Sequence, residues 1–275
     1  TVEVWKNLFT VVNGDGVDSN TIFLITRDGV VVVDTRVTPN EAEKVLVEIR
    51  KQTNLAIVYT INTHYHGDHT FGNQIFQSSG PIIAHENVRR SLSGDSGKDH
   101  LESFKSRNIH ELDKTVVTPP NMVFKDEMEI FLGGYSLRLI HVRGHTDGDL
   151  FIYIKELKTL ITGDLVVYKK IPDMSDAYIE DWISAMNKLG NLDAEIYIPG
   201  HGDPGGKPVL LAMRHYLFNL KTLVLKGLEE GKSLKETQDA ARPVLIKKYK
   251  SWKNLDLIDA NIQRAYLEYS LRKAS

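Results

Sequence analysis

The first half of the chain alternates short apolar, β-branched runs with turn residues, a pattern that predicts β-strands. The segment TIFLITRDGVVVVDT contains two such runs separated by Asp28-Gly29, which indicates a β-hairpin. LAIVYTIN and PIIAHE are further strand candidates. We therefore interpret this half as strands with short turns, followed over residues 86–120 by short helices and a polar loop that covers a pocket.

A second strand-rich block follows. Its apolar runs are MEIFL, YSLRLIHV, DLFIYIKE and KTLITGDLVV, and Gly133-Gly134 forms the turn between the first two. IEDWISAMNKLGNL then has apolar residues at helical spacing, and EIYIPG is one more strand candidate. The blocks 1–130 and 130–205 are predicted to be the two halves of one sandwich.

After residue 207 the spacing of apolar residues becomes helical. Apolar positions recur there in steps of three and four, at Leu210, Met213, Leu217, Leu220 and Val224. Gly231 is predicted to end this helix, and Ser233 with Glu236 forms a capping box for the next one. A last helix is predicted around residues 258–269. We therefore predict a catalytic domain over 1–207 and a helical extension over 208–275 that packs on it.

Composition narrows the class of protein. The 275 residues are 41% hydrophobic and 25% charged, with a net charge of -2, which is typical of a soluble globular protein. The chain has no excess of basic residues, so its charge does not indicate nucleic acid or anionic lipid as a partner. No apolar run reaches the roughly 20 residues that span a bilayer. The compartment stays open: a chain that starts at Thr1 fits an exported protein without its signal peptide, or a trimmed one.

The segment NTHYHGDHTFGN carries the most distinctive chemistry. His64 and His66 face the same side of an extended segment, and Asp68 and His69 follow where Gly67 lets the backbone bend. Such a cluster would repel itself on protonation and lack partners when neutral unless it holds a cation. Converging imidazoles and a carboxylate are ligands for a divalent ion, with zinc the first candidate. With no cysteine in the chain, thiolate ligands are excluded.

Three more ligand candidates lie where strands stop and glycine-rich loops begin. His145 occurs in RGHTDGD, Asp164 in LITGDLV and His201 in IYIPGHGDPG. Strand ends of this kind are where α/β sheets present catalytic groups. The three residues are therefore predicted to join the cluster at residues 64–69.

In that order and spacing, THYHGDH, GHTDGD, TGD and PGHG resemble the metallo-β-lactamase superfamily. The resemblance covers about residues 5 to 205 and implies a four-layered αββα sandwich with two metal sites at one edge. Residue by residue, it implies that His64, His66 and His145 form one site and that Asp68, His69 and His201 form the other. Asp164 matches the carboxylate that bridges the two.

The resemblance further implies two Zn²⁺ ions per chain, with other divalent metals as alternatives. Two cations that share a water would lower its pKa from 15.7 toward about 7, and a bridging hydroxide would then attack a carbonyl carbon. Asp68 would orient that nucleophile as well as bind metal. The principal hypothesis is therefore a zinc-dependent hydrolase that opens a cyclic amide or ester of a small-molecule substrate, with a β-lactam as one candidate.

Other activities stay open. One β-lactamase subclass has a lysine three residues after the position of Asp164; here Val167 stands there, with Lys169 and Lys170 displaced. A thioester or lactone hydrolase similar to glyoxalase II is the first alternative. An iron-dependent persulfide dioxygenase is the second, and the oligomeric state is also open.

Several residues near the motifs have predicted supporting roles. Asp34, Asp147 and Asp149 are candidates to orient the imidazoles, with turn formation as the alternative. Tyr65, Phe71, Trp182 and parts of 86–120 are predicted to wall the pocket, although Trp182 fits a core position equally well. The remaining histidines match no motif and are interpreted as structural or surface residues: His85, His100, His110, His141 and His215.

Overall fold

The computed structural model describes residues 1–12, 19–106 and 111–274, and it contains two β-sheets with helices on their outer faces. The strands are β1 (Val2–Trp5), β2 (Leu8–Val11), β3 (Thr21–Thr26), β4 (Gly29–Val33), β5 (Ile57–Ile61), β6 (Ile82–His85), β7 (Met122–Phe124), β8 (Glu127–Leu132), β9 (Tyr135–His141), β10 (Leu150–Ile154), β11 (Thr159–Ile161) and β12 (Ile196–Ile198). The helices are α1 (Pro39–Gln52), α2 (Gly67–Thr70), α3 (Asn73–Phe76), α4 (Glu86–Leu92), α5 (Gly94–Lys105), α6 (Ile179–Gly190), α7 (Lys207–Glu229), α8 (Leu234–Tyr249) and α9 (Ile258–Ala274).

The two sheets follow the two strand-rich blocks of the sequence. The first has the order β1-β2-β3-β4-β5-β6-β7, and the second has the order β12-β11-β10-β9-β8. β3 and β4 pair as the antiparallel hairpin predicted at Asp28-Gly29, with Thr26 opposite Gly29. β4 to β7 run parallel to one another, as do β11 and β12. Each sheet therefore gathers the ends of several strands at one edge.

Alternation along the strands builds the layers. In β4, Val31 and Val33 belong to the core between the sheets, whereas Val30 and Val32 pack with residues of α1. In β9, Leu139 faces the first sheet, and Ile140 joins the cluster that contains the helices beyond the second sheet. Successive side chains of a strand point to opposite faces, so both sheets bury two faces. The predicted αββα arrangement is thereby confirmed.

Helix α1 is absent from the interpretation of the first half as strands with short turns, which is therefore wrong over Pro39–Gln52. The signal for this helix is its first turn: Thr38 accepts a hydrogen bond from the backbone N–H of Glu41, and Pro39 occupies the first helical position. Residues 86–105 form α4 and α5, as the predicted short helices, and His110 lies outside the described residues.

The C-terminal helices share a hydrophobic cluster with the second sheet. Met213 and Leu217 of α7 and Ile262 of α9 lie in the same cluster as Phe151 of β10 and Trp182 of α6. The predicted capping box joins Ser233 and Glu236 at the start of α8. The proposed boundary after residue 207 falls in the first turn of α7, and the division into two domains stays a prediction. Among the described residues, no helix has the length and apolarity to cross a bilayer.

Candidate metal centre

The seven predicted ligand residues converge at one edge of the sandwich. His64, His66, Asp68 and His69 follow β5 into α2, and His145 lies in the connection between β9 and β10. Asp164 follows β11 in a short 3₁₀ turn, Gly163–Leu165, and His201 follows β12. The structure thus brings together side chains that are spread over more than a hundred residues of sequence.

His64, His66 and His145 form a group of three imidazoles, which we call the histidine group. Nε2 of His64 lies 3.1 Å from Nδ1 of His66. Nε2 of His145 lies 2.9 Å from the same Nδ1 atom. His64 and His145 are buried, and His66 is half-buried at the cavity. Three converging imidazoles are a ligand set that zinc prefers.

Asp68, His69 and His201 form a second group, the mixed group, in which a carboxylate joins two imidazoles. Oδ2 of Asp68 lies 3.1 Å from Nε2 of His201 and 3.4 Å from Nε2 of His69. The combination of nitrogen and oxygen ligands suits zinc and several other divalent ions.

Asp164 lies between the two groups. Its Oδ1 is 3.3 Å from Nε2 of His69, and its Oδ2 is 3.3 Å from Nε2 of His201. The same Oδ2 is 3.7 Å from Nε2 of His145, which belongs to the histidine group. This carboxylate therefore occupies the position that the sequence predicts for a bridge.

Asp34 fixes the orientation of two imidazoles. Nδ1–H of His69 donates to Oδ2 of Asp34 at 2.8 Å, and the hydroxyl of Thr63 donates to that same carboxylate at 2.8 Å. Because the Thr63 hydrogen is committed to Asp34, its oxygen accepts from Nδ1–H of His64 at 3.1 Å. Nε2 of His64 is then left with a lone pair toward the cluster, and Nε2 of His69 faces the carboxylates of Asp68 and Asp164.

Asp176 orients the imidazole of His66 in the same way. No motif in the sequence indicates this role of Asp176. Its Oδ2 accepts from Nε2–H of His66 at 3.1 Å and from the hydroxyl of Tyr65 at 2.7 Å. A carboxylate only accepts hydrogen bonds, so the His66 proton resides on Nε2 and the lone pair of Nδ1 faces the cluster. Asp176 lies in the connection before α6.

The donor atoms fit a metal ion. Nε2 of His64 and Nδ1 of His66 both present lone pairs at 3.1 Å, so neither can donate to the other. Nε2 of His69 and Oδ1 of Asp164 are buried and have no hydrogen-bond partner among the described residues. Buried polar atoms without partners are costly, and a divalent cation between them would supply the missing interaction.

The shifted pKa values of Asp68 and His69 also indicate that positive charge is stabilised at this position. Burial opposes ionisation of Asp68, but the charges of His69 and His201 hold its pKa well below the ordinary range. Burial likewise opposes protonation of His69, yet Asp68, Asp164 and Asp34 raise its pKa well above the ordinary value. The carboxylates require a cation here, and separations of 3.3 and 3.4 Å are long for a hydrogen bond from Nε2. A metal ion fits this position better than a proton.

Asp147 does not orient a ligand imidazole, contrary to its predicted role. Its carboxylate accepts a hydrogen bond from Arg90 at 2.7 Å, and it has none to a ligand residue among the described residues. Asp149 instead shapes the loop that carries His145, because it accepts from the backbone N–H of Thr146 at 2.9 Å and from the Thr146 hydroxyl at 2.6 Å.

The loop that carries His201 depends on a glycine and on a distant asparagine. A Cβ at Gly200 would lie 1.9 Å from Oδ1 of Asp164, so only glycine allows that carboxylate to approach. Asn20 donates from Nδ2 to the carbonyls of Pro199 at 2.9 Å and Gly202 at 2.8 Å. Asn20 escaped sequence reasoning because it lies about 180 residues away and belongs to no motif.

A cavity of about 670 Å³ opens in front of the metal centre. Tyr65 lines it as predicted, but Phe71 and Trp182 are buried in the core, and Trp182 packs against the His145 ring at 5.4 Å. His100 of α5 lines the cavity, which corrects its interpretation as a structural or surface residue. The wall also includes Lys253, from the segment between α8 and α9.

Three other unassigned histidines, His85, His141 and His215, are not part of the cavity wall. His85 and His141 are stacked with ring centroids 3.6 Å apart, and burial lowers the pKa of both. His215 is exposed on α7. These three agree with the structural or surface roles predicted for them.

Sequence comparison gives this chain several relatives. It is 23% identical over 215 residues to the linear primary-alkylsulfatase of Pseudomonas sp., covering 64% of this chain and 40% of that enzyme. It is 27% identical over 186 residues to the beta-lactamase-like protein 2 homolog of Caenorhabditis elegans, covering 67% of this chain and 56% of that protein. The chain therefore spans about half the length of these two relatives. It is 27% identical over 206 residues to the metallo-beta-lactamase type 2 of Bacillus sp. strain 170, covering 72% of each protein.

Solved structures share the fold. A metallo-beta-lactamase family protein of Thermus thermophilus superposes with a TM-score of 0.72 at 20% identity, over 99% of this chain and 95% of that one. The metallo-beta-lactamase of Pontibacter korlensis superposes with a TM-score of 0.65 at 20% identity, over 79% of this chain and 98% of that one. The profile of the Metallo-beta-lactamase superfamily matches residues 14–201. With the motifs and the sandwich in place, this match shows that the chain belongs to the metallo-β-lactamase superfamily.

Proposed function

We propose that this protein is a hydrolase with two Zn²⁺ ions, which opens a cyclic amide or ester of a small-molecule substrate. The histidine group would hold one ion, the mixed group the other, and Asp164 would contact both. When bound, two divalent cations would lower the pKa of a shared water to about 7 and supply hydroxide at neutral pH. The single observation that supports this most strongly is the convergence of both groups around Asp164 at the cavity.

The chain itself contributes orientation and charge. Asp68 lines the cavity and is assigned to orient the attacking water as well as to bind metal. Asp34 and Asp176 hold the imidazoles so that their lone pairs face the cavity edge, which lowers the cost of assembling the site. The substrate's reacting bond would lie in the cavity beside Asp68.

Two complete ligand groups argue against the alternative of a mononuclear iron oxygenase, which needs one group only. Lactones, β-lactams and thioesters all present a carbonyl carbon, so the metal centre by itself does not choose among them. Val167 lines the cavity where one β-lactamase subclass places a substrate-binding lysine, which makes a β-lactam one candidate among several.

The test combines metal content with a substrate screen. The zinc-loaded protein is assayed against a cephalosporin reporter, a lactone and a glutathione thioester, with and without chelator. Metals are also counted in the protein as purified. We expect two zinc ions per chain and hydrolysis of at least one substrate that chelator abolishes. A single iron ion per chain with no hydrolysis would contradict the proposal.

Asp164→Ala provides the matching measurement of metal. Since this carboxylate contacts both groups, its removal should reduce the zinc content from two toward one per chain. Asp147→Ala is the control, because Asp147 pairs with Arg90 and should leave two ions in place. Two retained ions in the Asp164→Ala variant would contradict the bridging role.

A further inference from the structure

Ser19 and Asn20 are adjacent residues that contact both loops carrying the cavity-facing ligands of the mixed group. They come directly before β3, whereas Asp68 lies in α2 and His201 follows β12. Both residues are buried, with 0% and 1% of their surface exposed. Neither belongs to a ligand group or to the cavity wall, so a role for them must act through other residues.

Ser19 holds the backbone of α2 at Asp68. Its hydroxyl donates to the carbonyl oxygen of Asp68 at 2.6 Å. A helix of a single turn leaves carbonyl groups without partners inside the helix, so these need donors from elsewhere in the chain. The next carbonyl, that of His69, likewise accepts from outside the helix, from the backbone N–H of Thr35 at 2.9 Å. The Ser19 hydroxyl therefore ties the turn that presents Asp68 to the start of β3.

Asn20 holds the loop of His201 on both sides of that residue. Its backbone N–H donates to the carbonyl of Gly200 at 2.7 Å. Its side-chain Nδ2 donates to the carbonyls of Pro199 at 2.9 Å and Gly202 at 2.8 Å. Three hydrogen bonds from one residue thus fix the backbone before and after His201.

Arg36 anchors this pair of residues from the side of the first sheet. Its guanidinium donates to the backbone carbonyls of Ser19 and Val11. Arg36 is itself buried, with 3% of its surface exposed. Because the contact with Ser19 involves only the Ser19 backbone, a change of the Ser19 side chain leaves it in place.

The link between the two loops matters for metal binding. Oδ2 of Asp68 lies 3.1 Å from Nε2 of His201, although the two residues are far apart in the sequence. If their loops could move apart, a metal ion would have to order both of them, and this cost would reduce its affinity. Ligands that are already held at the right separation avoid the cost.

We propose that Ser19 and Asn20 are positioning residues of the mixed group, which join the loops of Asp68 and His201 before a metal ion binds. The proposal rests on the proposed function only in assigning a metal ion to this group. Within the described part of the chain, neither residue forms a hydrogen bond to a residue of the histidine group. Their effect should therefore be confined to the mixed group.

The test measures zinc affinity in two backgrounds by competition with a chromophoric chelator. His66→Ala removes a ligand of the histidine group and leaves the mixed group as the stronger site, and Asp68→Asn does the reverse. In the His66→Ala background, Ser19→Ala should weaken zinc binding about fivefold, and Asn20→Ala, which loses two hydrogen bonds, about tenfold or more. In the Asp68→Asn background, both substitutions should leave the affinity unchanged.

Thr159→Val is the matched control, because Thr159 is buried and its hydroxyl also donates to a backbone carbonyl, that of Leu157 at 2.9 Å. Thr159 begins β11, and Asp164 follows the other end of that strand. The control should not change the zinc affinity in either background. Thermal unfolding of the metal-free variants verifies that each has folded, and Ser19→Ala alone decides the outcome if Asn20→Ala does not fold.

An equal loss of affinity in both backgrounds would indicate general destabilisation and overturn the proposal, as would an unchanged affinity in the His66→Ala background. Failure of His66→Ala itself to bind zinc would instead contradict the metal assignment of the mixed group, and this proposal would fail with it. Because no substrate is used, the result is independent of whether the protein hydrolyses any ester or amide.

Discussion

The histidine group and the mixed group differ in the charge they carry. In the histidine group, burial and the neighbouring positive charges hold the pKa of His64 well below its ordinary value and lower that of His145 to about 4. In the mixed group, burial opposes protonation of His201, but Asp164 and Asp68 raise its pKa to about 9. His64 and His145 are therefore neutral at pH 7, whereas the mixed group already holds positive charge.

This difference indicates that the two groups on either side of Asp164 have different roles. His64 and His145 of the histidine group present neutral lone pairs and can accept a cation without losing protons. The mixed group pairs its imidazoles with carboxylates, so a cation there must replace protons but gains negative ligands in return. We expect the mixed group to be more sensitive to pH and to the loss of a carboxylate.

The largest expected effect comes from Asp68→Asn. The substitution keeps the shape of the side chain but removes its charge, so the mixed group loses its anionic ligand and the assigned nucleophile-orienting group. Turnover of whichever substrate the screen identifies should fall by about a hundredfold or more, the range typical of losing a general base. Steady-state kinetics, with circular dichroism to verify the fold, measure this effect.

Asp147→Asn serves as the control for Asp68→Asn, because it changes a carboxylate that pairs with Arg90 outside the cluster. Its turnover should match that of the parent. An Asp68→Asn variant with parental turnover would refute the assigned role and the asymmetry between the two groups.

The site residues could be predicted from the sequence where they directly follow a strand. Each of the seven ligand residues lies within a short motif at a strand end, and Asp34 follows β4 in the same way. Asp176 could not be predicted, because the long connection before α6 brings it to His66 from 110 positions away. The position of Lys253 in the cavity wall depends on how the helical extension packs, and the spacing of apolar residues does not specify that packing. Helix α1 was missed although Thr38 and Pro39 carried its start signal.

A smaller effect should distinguish the two carboxylates that orient imidazoles. Asp34 serves His69 of the mixed group and is buried, whereas Asp176 serves His66 of the histidine group with 45% of its side chain exposed. Loss of such a partner typically weakens metal affinity 10- to 100-fold, and water can replace an exposed partner more easily (about tenfold or less is expected there). Asp34→Asn should therefore reduce zinc affinity more than Asp176→Asn.

Competition with a chromophoric chelator measures both affinities, and thermal unfolding of the metal-free variants verifies that each has folded. Asp149→Asn is a third variant for comparison, since the Asp149 carboxylate bonds to Thr146 and, among the described residues, to no ligand imidazole. A greater loss of affinity in Asp176→Asn than in Asp34→Asn would reverse the ranking and show that exposure does not govern these contacts.

The smallest predicted effect is a difference in proton release when zinc binds. At pH 7, His201 with a pKa of about 9 is protonated and must lose its proton to bind zinc, whereas His145 with a pKa of about 4 has no proton to lose. Zinc affinity of the mixed group should therefore rise as the pH increases from 7 to about 9. Affinity of the histidine group should vary little over this range.

Calorimetry in buffers of different ionisation heat counts the protons released, provided that the two groups are titrated separately. His66→Ala leaves the mixed group as the stronger site, and Asp68→Asn leaves the histidine group. At pH 7 the first variant should release at least one proton more per zinc than the second, and this difference should become smaller as the pH rises through about 9, where His201 loses its proton. Equal proton release at pH 7 would mean that the mixed group does not hold a proton in place of the metal. The inferred difference in charge between the two groups would then be wrong.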